Sequence, residues 1–274
     1  DEYGFGVDYL YRNAVVSANY TTSEEPDYLA DTVNFNVAHE VFGGMTTINM
    51  GYVRGRDTVG RVGTDFSADV SRHQYRLGVA QVLAADLLLN VDYEASSDAG
   101  YLNNPYRSAR ILGASVPERY PGARTGNAVS LRAAKHITPL SALRFDYRYF
   151  WDTWQIRSNT LEVDYSRRLR DRLLLDVRGR YYTQNRASFY SDNFATEYNY
   201  MARDKELSSF DSYTLGYKLT FFMLERPVGP FDRASVNVAV DHIWFDYRDF
   251  TDARNGNAYA FEADTVQLFL SLWY

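Results

Sequence analysis

The chain has 274 residues, no cysteine and a formal net charge of -6. Those features exclude a disulfide framework and a thiolate metal site, and the acidity argues against a nucleic-acid partner. Tyrosine (24) and phenylalanine (16) are abundant, yet mean hydropathy is low and no run approaches the ~18 apolar residues of a membrane helix.

A low average does not exclude a membrane, because a transmembrane barrel alternates lipid-facing with lumen-facing residues and dilutes its own signal. Alternation with period two recurs along this chain. The opening Asp1-Glu2-Tyr3 lacks a basic and apolar leader, which reads as a mature or trimmed chain. The first predicted strand covers 13–22. Residues 32–41 follow, with Val33, Phe35 and Val37 on one face, and after "FGG" comes 46–54, with Ile48, Met50 and Tyr52. Strands at 70–83 and 87–95 flank the turn "AAD". A connection of roughly thirty residues then reaches Asn127, a length uncommon without a functional or binding role.

Strands at 128–137, 143–152, 158–169 and 173–184 come next, then a second long loop to about Leu207. Strands at 212–222, 234–245 and 259–274 complete a predicted set of twelve. Short turns ("FGG", "AAD", "TPLSA", "RLRD", "ERPVGPFD") alternate with longer connections. This spacing predicts an all-β fold: a single antiparallel transmembrane β-barrel of about twelve strands, one domain over 1–274. Its short turns and both termini would be periplasmic and its long loops extracellular.

A soluble β-sandwich would instead show patchy core alternation and a mostly charged outer face. Here Leu143, Phe145, Tyr147, Tyr149 and Trp151 form one apolar row, as do Tyr213, Leu215, Tyr217, Leu219 and Phe221. The residues between the first of these rows, Arg144, Asp146, Arg148 and Asp152, are charged. Lipid outside and water inside explain both faces. The last strand, "TVQLFLSLWY", places Leu268, Leu270, Leu272 and Tyr274 toward lipid as a C-terminal assembly signal for the barrel-assembly machinery.

Several stretches carry a family resemblance: "DAGYLNNPYR" (98–107), "ERYPGARTGNAV" (118–129), "FDYRYFWDTWQIRSNTLEVDY" (145–165), "RGRYYTQNRASFY" (178–190), "MARDKELSSFDSYTLGYK" (201–218) and "NVAVDHIWFDYRDFTDAR" (237–254). With the C-terminal strand they cover most of the chain after residue 70. The sequence resembles the bacterial outer-membrane family catalogued as domain of unknown function 3570. The resemblance implies an outer-membrane barrel and a signal peptide removed on export. It also implies an envelope setting shared with small lipoproteins and redox proteins (thioredoxin-like or flavin-attaching).

Turn lengths set strand pairing, and parity then sets which residues share a face. A turn at 170–172 puts Asp164 opposite Arg178 and Glu162 opposite Arg180. A turn at 154–156 puts Arg148 opposite Glu162, and the "AAD" turn puts Arg76 opposite Glu94. With Arg144 and Asp146 these form a predicted ladder of opposite charges on the inner face. They either fill a narrow lumen as mutually satisfied pairs or form a selectivity constriction in an aqueous path.

Other constellations are weaker. The "AAD" turn brings His73 opposite Ser97 on the outer face, as a lipid-directed hydrolase would need, but no acid is placed to orient His73. His39, His136 and His242 show no ligand spacing. "DHIWFDYRDFTD" (241–252) carries four aspartates near a rim, where a hard cation could bind or where the loop is simply solvated. The long loops hold Tyr101, Tyr106, Tyr120, Tyr190, Tyr198 and Tyr200, a composition that favours ordered loops. These loops could plug the mouth, cap it or bind a partner.

The resulting expectation is a non-enzymatic barrel in the bacterial outer membrane, without cofactor or metal: a narrow channel for small polar or charged solutes. The alternative is a non-conducting scaffold holding a small lipoprotein or an envelope redox protein. The lipid bilayer is the partner common to both.

Overall fold

Thirteen strands hydrogen-bond into one antiparallel sheet in the computed structural model, which describes residues 1–224, 229 and 231–274. Residues 225–228 and 230, which carry most of the predicted turn "ERPVGPFD", lie outside the described residues. In chain order the first strands are β1 (Glu2–Tyr11), β2 (Ala14–Glu25), β3 (Tyr28–Val41), β4 (Thr46–Gly60), β5 (Ser67–Ala84) and β6 (Leu87–Gly100). A two-stranded hairpin, β7 (Ser108–Ile111) with β8 (Ala114–Pro117), stands apart in the first long connection. Then come β9 (Ala123–Thr138), β10 (Ser141–Asp152), β11 (Arg157–Arg170), β12 (Leu173–Gln184), β13 (Phe210–Leu224), β14 (Arg233–Thr251) and β15 (Ala258–Trp273). Each sheet strand pairs with its neighbours in sequence, β6 passing directly to β9.

The sheet has thirteen strands, one more than the periodicity predicted. The addition is β1. Tyr3, Phe5, Val7, Tyr9 and Tyr11 alternate there with Glu2, Gly4, Gly6, Asp8 and Leu10. Two glycines and a leucine on the polar side blur the alternation, and glycine is itself a poor strand former. The odd number has a geometric result: β1 and β15 run in the same direction. The Asp1 ammonium donates to the Glu24 carbonyl beside the β2–β3 turn, at the long-loop end. β15 finishes at the short-turn end. The two termini therefore lie at opposite ends, not together as expected. Among the described residues no register joins β1 to β15.

Parity divides the sheet into two faces. Leu175, Leu219, Val238 and Leu268 form one continuous row across β12 to β15. Toward the long-loop end the same face carries Tyr147, Tyr181, Tyr213 and Trp244, again in register. This is an apolar band rimmed by aromatic rings, and its members are largely exposed. No helix of the described residues is long and apolar enough to cross a membrane. The thirteen strands of the large sheet, from 10 to 19 residues, reach or exceed the ~9–11 needed to span hydrocarbon.

Gln267 and Leu268 are consecutive in β15 and point to opposite faces, as do Lys218 and Leu219 in β13. Leu219→Arg is expected to cost about 2–4 kcal/mol, and Gln267→Arg less than about 1 kcal/mol, because only the first places a guanidinium toward hydrocarbon. Urea unfolding in lipid vesicles measures both.

Candidate functional site

The face opposite the apolar band carries the charges. Arg144 on β10 reaches Asp146 on its own strand (2.9 Å) and Asp164 (2.8 Å) and Glu162 (3.2 Å) on β11. The contacts to Asp146 and Asp164 use carboxylate oxygens that lack hydrogen-bond geometry, so they are ion pairs by proximity. Arg132 closes on Asp146 from β9, and Arg180 approaches Glu162 from β12 (3.9 Å). Arg178 meets Asp241 (2.7 Å), Arg76 meets Glu94 (3.2 Å), and Lys218 meets Asp176 (3.5 Å). The predicted residues thus form one wall of alternating sign.

Two predicted contacts differ. Glu162 and Asp164 do stand opposite Arg180 and Arg178 in register, but Arg178 turns away to Asp241. Arg148 lies opposite Thr160, not Glu162, and its carboxylate partner is Glu94 at 3.4 Å. The cause is the turn after β10. It closes around 153–155, where the Asp152 amide donates to the Ile156 carbonyl (3.1 Å) and Gln155 lies in the left-handed region (φ 68), and a turn placed one residue earlier than predicted shifts the register by two residues. Arg148 reaches Glu94 diagonally across β9, where Ser130 stands opposite Arg148 and Ala128 opposite Glu94.

Sequence reasoning missed Arg132, Lys218, Asp176 and Asp241. The last was hidden inside an acidic run. That run serves separate purposes: Asp241 pairs with Arg178, Asp249 accepts from the Ser209 amide (2.8 Å), and Asp252 pairs with Arg254 (2.7 Å). Among the described residues, the one carboxylate trio within 4.8 Å is Asp146, Glu162 and Asp164, and Arg144 contacts all three.

Inward glycines make the flat charge pairs possible. A Cβ on Gly216 would collide with the Asp241 carboxylate, which lies across that glycine on its way to Arg178. Gly78 gives Asp92 the same room. On the outer face His73 does pair in register with Ser97. Its Nδ1, however, sits 2.9 Å from the Tyr52 hydroxyl and its Nε2 3.4 Å from Ser71, and among the described residues no carboxylate orients it.

At the long-loop end the two long connections, 101–122 and 185–209, pack into a cap. Short backbone bridges join them: the Leu112 amide donates to the Phe194 carbonyl (2.9 Å), and Arg119 and Met201 exchange hydrogen bonds (2.9 and 2.8 Å). Phe194 and Met201 bury against Ala109, and Phe189, Tyr190 and Leu207 bury against Trp154 and Ile156. Tyr106 ties the cap to the β2–β3 turn by donating to Asp27 (2.6 Å). Tyr190 donates to the Asp249 carbonyl on β14 (2.9 Å). Among the loop tyrosines, Tyr106 (52%), Tyr198 (54%) and Tyr200 (50%) remain exposed. Beneath the cap lies a cavity of ≈ 610 Å³ lined from β2, β3, β4, β5, β6, β9, β10 and β12, so the sheet wraps around it.

Within the cap, burial and the hydrogen bond to Glu118 push the Tyr120 phenol well above its ordinary range. Burial first, then the nearby Asp249 and Asp192, does the same for Tyr190. Outside the cap, the Arg254 guanidinium holds the Asp252 carboxyl down to about 2.

Residues 2–226 match the model of a family described as protein of unknown function (DUF3570). No curated protein matches the chain. Among solved structures the chain is similar to the siderophore receptor PirA of Pseudomonas aeruginosa, with TM-score 0.59, 9% identity, 99% of this chain covered and 50% of that one. CdiB of Escherichia coli gives TM-score 0.59 and 10% identity, with 99% and 53% covered. The alcaligin outer-membrane receptor FauA of Bordetella pertussis gives 0.53 and 12%, with 99% and 50% covered. The likeness shows the fold of outer-membrane barrels. The chain spans about half the length of these proteins.

Two outcomes follow from the geometry. Gly216→Ala is expected to cost about 1–3 kcal/mol by overpacking, and to cost much less in an Asp241→Ala background, where no carboxylate is displaced. Melting of the four variants in detergent checks this. A phenol with raised folded pKa binds its proton more tightly in the folded cap. The stabilisation is complete below the unfolded value of about 10 and is lost as pH rises toward the folded value. Alkaline titration of phenolate absorbance should therefore show a late step that Tyr120→Phe and Tyr190→Phe each reduce.

Proposed function

We propose that this chain, which belongs to the DUF3570 family, builds the wall of a single barrel domain in the bacterial outer membrane. That barrel passes small polar or charged solutes along its charge-paired face. The observation that carries this reading is the accessibility of the paired arginines. Arg76 is 63% and Arg148 40% exposed at the side chain, while the opposite face is apolar. Charges packed as filler would be dehydrated on all sides. These are reached by water, and a wall of fixed alternating charge selects among ions and polar solutes.

Hydrocarbon leaves no room for an unpaired sheet edge, so a spanning sheet must be closed. Because β1 and β15 run in the same direction, a seam made directly between them is parallel. An all-antiparallel closure requires an odd number of further strands between the two edges. Leu268, Leu270 and Leu272, all on the lipid-directed face of β15, with Tyr274 just beyond it, serve as the segment read by the barrel-assembly machinery.

The packed cap favours a second reading, a non-conducting scaffold whose outer end holds a small lipoprotein or an envelope redox protein. Conductance in planar bilayers separates the two. The channel reading expects discrete current steps whose cation-to-anion preference shifts toward cations in Arg148→Ala with Arg180→Ala. A reconstituted protein that passes no current at any voltage would leave only the scaffold.

A further inference from the structure

We propose that the cavity beneath the cap binds a small organic cation, an amine or quaternary ammonium with an apolar body. This goes beyond conduction and stands on the cavity alone. Its ≈ 610 Å³ volume falls within the range of small-molecule sites.

The charges facing the cavity are unevenly committed. Arg72 is held by Asp57 (2.6 Å) and accepted by the Tyr28 hydroxyl (3.2 Å). Arg107 is held by Asp204 and Glu206. Arg124 is held by Asp152 (2.7 Å). No arginine on this wall is left for an incoming anion. The carboxylates are not all engaged. Glu25 and Asp98 line the cavity, and neither has a hydrogen-bond or ion-pair partner within 4 Å among the described residues. Asp98 stands in register between Arg72 and Arg124, both already given to other carboxylates. Asp27 accepts the Tyr106 hydroxyl alone. The surplus field is negative.

Much of the rest of the lining is aromatic, including Tyr101, Tyr120, Phe150, Trp154 and Tyr182. Ring faces here already attract a cation, since the Arg124 guanidinium lies 4.6 Å from the Trp154 ring centre and 5.8 Å from Phe150. Tyr101, Tyr120 and Tyr182 carry no such cation among the described residues. Ring faces beside unpaired carboxylates in a partly enclosed space favour a cation that is weakly hydrated and carries apolar surface. A hard metal ion would instead require several oxygens converging on one point, and the one carboxylate trio that close among the described residues, Asp146, Glu162 and Asp164, lies outside this cavity.

Calorimetric titration of the whole chain in detergent, with choline and with its uncharged carbon isostere 3,3-dimethyl-1-butanol, tests the proposal. Choline is expected to bind saturably, with the isostere about tenfold or more weaker. Glu25→Gln with Asp98→Asn should weaken choline about tenfold while leaving the isostere and the melting temperature unchanged. Tyr101→Ala should weaken choline as well. Absence of saturable choline binding, equal affinity for the two compounds, or indifference to the carboxylate substitutions would each overturn it. A protein that binds choline yet passes no current defeats the channel reading alone. One that conducts but ignores choline defeats this site alone.

Discussion

Each hydrogen bond between neighbouring strands of the wall has two consequences. It satisfies peptide groups that hydrocarbon cannot, and it fixes the register that decides which side chains meet lipid and which meet water. The remainder of the molecule depends on that coupling. A slip of one residue would carry Leu219 inward and Lys218 outward. The unbroken ladder from β1 to β15 is therefore the condition for an apolar band on one face and a charged wall on the other.

Energetically the two faces are unequal. Half-exposed ion pairs contribute roughly 0–1 kcal/mol each, so the charged wall shapes the local field more than it holds the sheet together. The apolar face gains little from itself, because its rows stand exposed until lipid covers them. Most of the buried apolar packing lies elsewhere, in the cap, where Trp154, Phe189, Tyr190 and Leu207 form one cluster and Phe194 and Met201 another. The protein thus joins a wall stabilised by its surroundings to an end stabilised by its own packing.

Much of the wall was legible in the sequence, because period two is a local signal. Asp164 with Arg178 and Glu162 with Arg180 were readable because the short turn between β11 and β12, with the irregularity between Arg168 and Arg170, sets the same register as a three-residue turn at 170–172. Arg148 was misassigned because the turn closes at 153–155, with Gln155 left-handed, and no local rule places it one residue earlier than 154–156. β1 was missed where Gly4 and Gly6 removed the contrast between faces. Asp241 was out of reach for a different reason: its pairing with Arg178 crosses a whole strand and requires Gly216 to lie between them. The cap was legible only as tyrosine-rich loops. Its bridges, Ile111 with Phe194 and Arg119 with Met201, link segments about eighty residues apart, and nothing in either segment points to the other.

That distant pairing sets what a binder of the cap recognises. A surface assembled from two remote stretches of chain exists as an epitope only after both have folded together. Antibodies or phage adhesins selected on a linear peptide from either stretch would meet a shape that the intact cap does not display. Those selected on the intact cap would lose their target once either stretch was cut.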